Sequence, residues 1–157
     1  MSRGRTAALL LVLALGVLAP GGCGSDDDER GDRSSPGPAT TVIRAWADTL
    51  RRGDVKRAAS YFALPVLVSN GTPALKLSTR AQVRAFNASL SCGARVLKTS
   101  SAGRYTTAEF VLTERPGPGR CGSGTGQRAR VTFVVRDGKI VQWRRVSSDP
   151  EPPGTIA

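Results

Sequence analysis

Between Thr40 and Ser147 the apolar positions recur first at helical spacing and then at strand spacing. In TTVIRAWADTLRRGD, Val42, Ile43, Trp46, Ala47 and Leu50 fall on one helical stripe, with Thr40 or Thr41 available as an N-cap. Gly53-Asp54 breaks that helix and starts a shorter one, in which Val55, Ala58, Ala59 and Phe62 keep the spacing. Pro65 to Ser69 reads as a strand, Asn70-Gly71-Thr72-Pro73 as a turn and Ala74 to Leu77 as a short extended piece. Ser78 or Thr79 then opens a third helix with Ala81, Val83, Phe86 and Leu90 on its apolar side. Beyond Cys92 the chain is rich in Val, Thr, Phe and Tyr. Strands are predicted over 94–99, 105–114, 128–136 and 139–146, with Asp137-Gly138 as a two-residue hairpin and RPGPGRCGSGTGQ as a flexible connection. The order predicts an α+β domain in which three helices pack on a curved antiparallel sheet.

The flanks have a different pattern. Arg3 and Arg5 precede an apolar run from Ala7 to Ala19 and then small residues, the layout of a secretory signal peptide. That run is shorter than the roughly 20 apolar residues a spanning helix needs. Gly21, Gly22 and Cys23 resemble the end of a bacterial lipoprotein box, with Pro20 where a branched aliphatic residue is usual. The resemblance implies removal of residues 1–22, acylation of Cys23, and export to the outer side of the cytoplasmic membrane with the lipid bilayer as partner. The alternative is ordinary signal-peptidase cleavage, which would leave a secreted chain with Cys23 as a spare thiol. From residue 23 to 39 the acids, Ser, Pro and Gly show no apolar period and predict a disordered tether; the domain then occupies 40–148 and a tail 149–157.

Cysteine parity follows from that reading. With Cys23 acylated, Cys92 and Cys121 remain as an even pair in an oxidising compartment, where a disulfide is the default. A nucleophilic or redox role has little support, because the two are far apart in sequence and the chain contains no histidine. The same lack excludes histidine-dependent catalysis, and no ligand spacing suggests a metal or another cofactor.

The formal charge is +11, and removing Arg3 and Arg5 leaves +9. Arginines fall in every segment and form no contiguous block, while aromatic residues make up only 5% of the chain. That combination argues against nucleic acid, which wants clustered cations interleaved with stacking platforms. It predicts a solvated basic surface attracted to anionic headgroups or cell-wall polymers.

The phrases VIRAWADTLRRGDVKRAASYFA, STRAQVRAFNASL and FVVRDGKIVQWRRV, in that order, resemble the NTF2-like superfamily, the cone fold that includes ketosteroid isomerase and SnoaL-type cyclases. The resemblance implies a pocket between helices and a bent sheet, whose lining determines function. It also implies that the general-base aspartate of isomerase-like members would fall near Val68-Ser69-Asn70-Gly71, which offers no carboxylate. Trp46 stands where a tyrosine donor would be, and Asn87 follows the third-helix phenylalanine. Glu109, inside an apolar strand with Arg144 nearby, is the one candidate base; its alternative is a solvent-face or ion-paired residue. Trp46, Tyr61, Phe86, Asn87, Trp143 and Arg144 are the candidate ligand-binding residues, although aromatics at such spacings are more often ordinary core. Three expectations follow: a non-catalytic domain binding a small ligand or an envelope partner, an isomerase, cyclase or dehydratase using Glu109, or an accessory subunit dimerising through its sheet face.

Overall fold

The structure is a computed structural model and describes residues 36–146. Its elements are helix α1 (Pro38–Arg51), helix α2 (Val55–Ser60), strands β1 (Phe62–Ser69) and β2 (Leu75–Leu77), helix α3 (Arg80–Ser89), then β3 (Gly93–Ala102), β4 (Tyr105–Thr113), β5 (Arg128–Arg136) and β6 (Lys139–Val146). The strands form one mixed sheet in the order β2-β1-β6-β5-β4-β3, antiparallel except where β1 runs parallel to β6. Register shifts interrupt the β1/β6, β3/β4 and β5/β6 ladders. Such irregularities bend a strand and raise its twist, so the sheet curves and the helices lie against its inner face. The predicted signal segment, with Cys23, most of the tether and the C-terminal tail fall outside the described residues.

Two helix boundaries differ from the sequence expectation. α1 starts at Pro38 with Gly37 at its N-cap, so Thr40 and Thr41 lie inside the first turn. Proline is well placed there, since the first helical N–H has no intrahelical partner to lose and the ring fixes φ near the helical value. α2 ends at Ser60, and Phe62 begins β1 instead of closing the helical stripe. Cations terminate this helix: Arg80 donates to the carbonyls of Ala59 and Phe62, and Lys139 to that of Ser60. Positive groups at a helix C-terminus satisfy free carbonyls and oppose the macrodipole. For α3, Thr79 is the N-cap, and Gln82 completes a capping box. Asp137 and Gly138 both have positive φ, 49° and 69°, as the tight turn between β5 and β6 requires.

The core is aromatic. Trp46 on α1 meets Phe62, Phe110 and Phe133 edge to face, and Phe86 on α3 meets Phe62 and Trp143. At its centre the Trp46 indole donates to the Asn87 side-chain oxygen at 2.9 Å, and the Asn87 amide donates to the Val83 carbonyl. Asn87 is fully buried; the first bond joins α1 to α3 over the sheet, and the second fixes the Asn87 side chain within α3.

The glycine-rich segment between β4 and β5, expected to be a flexible connection, is tied down at three points. Cys92 and Cys121 are joined by a disulfide that closes a separation of 29 residues. On the chain-entropy model a loop of that size is worth about 3 to 4 kcal/mol. The Glu114 carboxylate accepts from the backbone N–H groups of Cys121 and Gly122 and from Thr125, holding a single 3-10 turn at Gly122–Gly124. Arg115 is 6% exposed and donates to the carbonyls of Ala88, Leu90 and Pro116, which caps the end of α3. Burial lowers its pKa, from a starting value so high that it stays cationic.

Asn87→Leu would strand the indole N–H of Trp46 in a dry core, and a cost of about 1 to 3 kcal/mol is expected in urea denaturation. The Glu114 carboxyl is held below its ordinary range, first by the Cys121 N–H and then by that of Gly122. Its stabilising effect is complete above the unfolded value of about 4.3 and is lost as pH falls through the lower folded value. Glu114→Gln should therefore lower the melting temperature at neutral pH, and the two melting curves should converge as pH falls below about 4.

Candidate functional site

A cavity of about 140 Å³ opens beside the aromatic core, between the end of α1, the turn after α3 and the inner faces of β4, β5 and β6. Strand alternation explains its walls. On β4, Phe110 and Leu112 face inward; on β5, Ala129 and Val131; on β6, Trp143 and Arg145. Large side chains fill the interior as far as the row of Phe133 and Trp143, which are paired across β5 and β6. Beyond that row the inward positions include Ala94 and Ala129, whose small side chains leave the space open. Trp46 and Leu50 cover the cavity from α1, and Ser89, Ser91 and the disulfide-bonded Cys92 form the rim.

The polar groups of this pocket are few. Trp143 is 3% exposed, and its indole N–H has no hydrogen-bond partner among the described residues. Arg145 is exposed at the mouth, and Asn70 stands at the end of β1. Among the described residues, no carboxylate, tyrosine or histidine lines the cavity. The Trp143 N–H is itself enclosed by the fold, so the described lining offers a positive charge and small polar groups at its mouth, and nothing suited to taking a proton from carbon at neutral pH.

The predicted site residues separate into distinct places. Trp46 and Trp143 line the cavity. Asn87 is beneath it, with its oxygen committed to Trp46 and its amide to Val83. Phe86 packs between Phe62 and Trp143, and Tyr61 is at the end of α2, partly buried against the core; neither lines the cavity. Arg144 is exposed on the outer face of the sheet, opposite Thr132 and Ser69, because it alternates with Trp143; the inward position belongs to Arg145. Sequence reasoning could have found Arg145 by counting two residues on from Trp143.

Glu109 is also on the outer face. Its in-register neighbours are Lys98 on β3 and Arg130 on β5. The carboxylate pairs with Lys98 at 3.1 Å and with Arg128, not with Arg144. The Arg128 hydrogen bond, then that of Lys98, holds its pKa below the ordinary value, the reverse of what a base poised near neutrality needs. Cys92 and Cys121 are bonded to each other, so neither is a free thiol. Among the described residues no group of His, Cys, Asp or Glu could hold a metal ion.

Solved structures share this arrangement. An NTF2-like protein of unknown function from Cytophaga hutchinsonii superposes with a TM-score of 0.54 at 9% identity, covering 73% of this chain and 92% of that one. A hypothetical protein with a ketosteroid isomerase-like fold from Catenulispora acidiphila, in complex with trimethylamine, gives 0.53 at 17%, covering 68% and 85%. A de novo designed protein with a curved β-sheet gives 0.54 at 20%, covering 69% and 83%. The fold is NTF2-like. No protein-family model matches the chain, and no curated protein does. An NTF2-like scaffold carries many chemistries, so the choice among them rests on the pocket lining.

Proposed function

We propose that this NTF2-like domain is a non-catalytic binding module for a small molecule with an apolar body and an acceptor or anionic end, exported and held at the membrane through acylated Cys23. The observation that carries the binding reading is the composition of the pocket: apolar walls, Arg145 at the mouth and no carboxylate among the described lining residues. Glu109, the candidate base of the enzymatic alternative, is on the other side of the sheet in two ion pairs. The size of the cavity sets the class of ligand. An apolar cavity of about 150 Å³ accommodates benzene, so a single ring or a short branched chain fits inside, and a larger skeleton would have to extend out of the mouth. Export and anchoring rest on the Arg3/Arg5 and apolar layout and on the Gly21-Gly22-Cys23 box.

Both tryptophans of the chain line the cavity, so intrinsic fluorescence reads its occupancy directly. Benzoate is the probe of choice, with its ring against Ala129 and its carboxylate toward Arg145. Arg145→Gln should weaken benzoate by about 10- to 100-fold, as expected for a charge-assisted hydrogen bond, and change benzyl alcohol binding much less. Ala129→Leu, which fills the cavity, should abolish both signals. Benzoate affinity unchanged in Ala129→Leu would show that this pocket is not the site.

Anchoring has its own measurement. Intact mass of the protein extracted from the membranes of a bacterial host should show a chain that begins at Cys23 and carries a diacylglyceryl group. A Cys23→Ser variant should lose the modification. An N-terminus beyond residue 23 without lipid would overturn the anchor and leave the secreted alternative.

A further inference from the structure

The described residues include nineteen Lys and Arg and five Asp and Glu. In sequence the cations form no block; in the fold, strand alternation gathers many of them on one surface. The outer face of the sheet carries Arg95 and Lys98 from β3, Arg128 and Arg130 from β5 and Arg144 from β6, all exposed. Glu109 is the sole acid in those central rows, and Lys98 and Arg128 already neutralise it. Between the cations the face presents hydroxyls, including Thr107 and Thr132, which hydrogen-bond each other across the ladder. Toward the β1 edge this surface dips into a shallow depression of about 460 Å³ ringed by Lys76, Arg104 and Arg136. Its floor is apolar, with Pro65, Leu67 and Val134. Leu67, which alternates with the buried Val66 and Val68, is 45% exposed on this face, whereas Leu75 pairs with Val68 and belongs to the inner side. Across the sheet from that edge, Tyr105 on β4, with Arg104 stacked 5.0 Å over its ring, adds an aromatic group to the same face.

We infer that the outer sheet face is a docking surface for an anionic phospholipid bilayer, with the arginine rows on the headgroups and the apolar patch around Pro65 and Leu67 of β1 in the interfacial layer. Charge complementarity selects an anionic partner, and each Lys or Arg brought to an anionic membrane surface strengthens binding about fivefold. Shape and apolar content select the bilayer over a soluble polyanion. A polymer strand is best held in a groove with stacking platforms, whereas here broad cationic rows surround Pro65, the exposed Leu67 and Tyr105, the combination that sits at a lipid–water boundary. The same charge disfavours the sheet-to-sheet homodimer expected above. A two-fold pairing would set this cationic face against its own copy, with one already paired acid in the central rows to relieve the repulsion.

The test uses residues 24–157 without lipid, which contain every element of the described fold and avoid the apolar N-terminal run. Co-sedimentation is measured with vesicles of phosphatidylcholine alone and of phosphatidylcholine with an equal amount of phosphatidylglycerol. Binding is expected only to the anionic vesicles and should fall steeply with added salt. The triple variant R95Q/R130Q/R144Q, which spares the two cations that hold Glu109, should lower the partition constant about 100-fold. The matched triple R44Q/R52Q/K56Q on the helices should lower it less than threefold. Thermal melts check that each variant folds, and the double R104Q/R136Q, with an expected loss of about 25-fold, replaces the first triple if that one does not. Equal losses from the two triples would overturn the face assignment, leaving net charge alone. Equal binding to both vesicle types would overturn the charge-selected headgroup contact, and tight binding to polyphosphate with none to vesicles would overturn the bilayer.

Discussion

The hydrogen bond from the Trp46 indole to the Asn87 side chain is the contact on which the rest of the interior depends. It crosses from α1 to α3 inside a shell of Phe62, Phe110 and Phe133, where an unpaired donor or acceptor would find no water. Asn87 can serve because its amide is already satisfied by Val83, one turn back on its own helix, so its oxygen is oriented toward Trp46. Fixing the Trp46 ring sets the roof of the cavity, since the same side chain packs in the aromatic core and lines the cavity. A tyrosine at position 46 would present a hydroxyl at the end of the ring; the indole instead spends its only donor on the scaffold.

Much of the architecture was legible in the sequence because the periodicities were clean. The bounds of β5 and β6 follow directly from Val, Phe and Trp alternation around Asp137-Gly138, and Thr79 with Gln82 carries the capping-box signature of α3. What escaped were interactions whose partners are distant in sequence. Nothing near Arg115 announces that it caps a helix ending some 25 residues earlier, and nothing in a glycine-rich stretch announces that Glu114 will organise it. Phe62 was ambiguous for a related reason: it keeps helical spacing with Ala58 and Ala59, yet Tyr61 accepts a ladder bond from Ile140, which commits the chain to the sheet.

The candidate site shows the same limit more sharply. Trp46 and Trp143 were identifiable as cavity residues, but neighbouring positions on a strand belong to opposite faces, so an error of one residue exchanges a pocket group for a surface group. That is the relation between Arg144 and Arg145. It also explains Glu109: Ala108 and Phe110 are buried in the core, so the residue between them faces outward. A carboxylate in an apolar strand looks anomalous in the sequence and ordinary once Lys98 and Arg128 are seen beside it.

One sheet therefore separates two chemistries that the sequence interleaves. Its inner face is apolar and ends in Arg145; its outer face is cationic, with an apolar patch around Pro65 and Leu67. A tether from Cys23 to Pro38 would span at most about 50 Å if fully extended, while a domain of this length has a radius of gyration of about 13 Å. On the anchored reading, such a link is long enough to let any side of the domain reach the membrane, so tethering alone selects no orientation. The selection then falls to the surface itself. If the arginine rows lie against the bilayer, the helices and the mouth of the cavity remain turned toward the aqueous side, where a small polar-ended ligand would be met. The strand alternation that places Trp143 and Arg144 on opposite faces would then determine both what the domain binds and which way it faces while binding it.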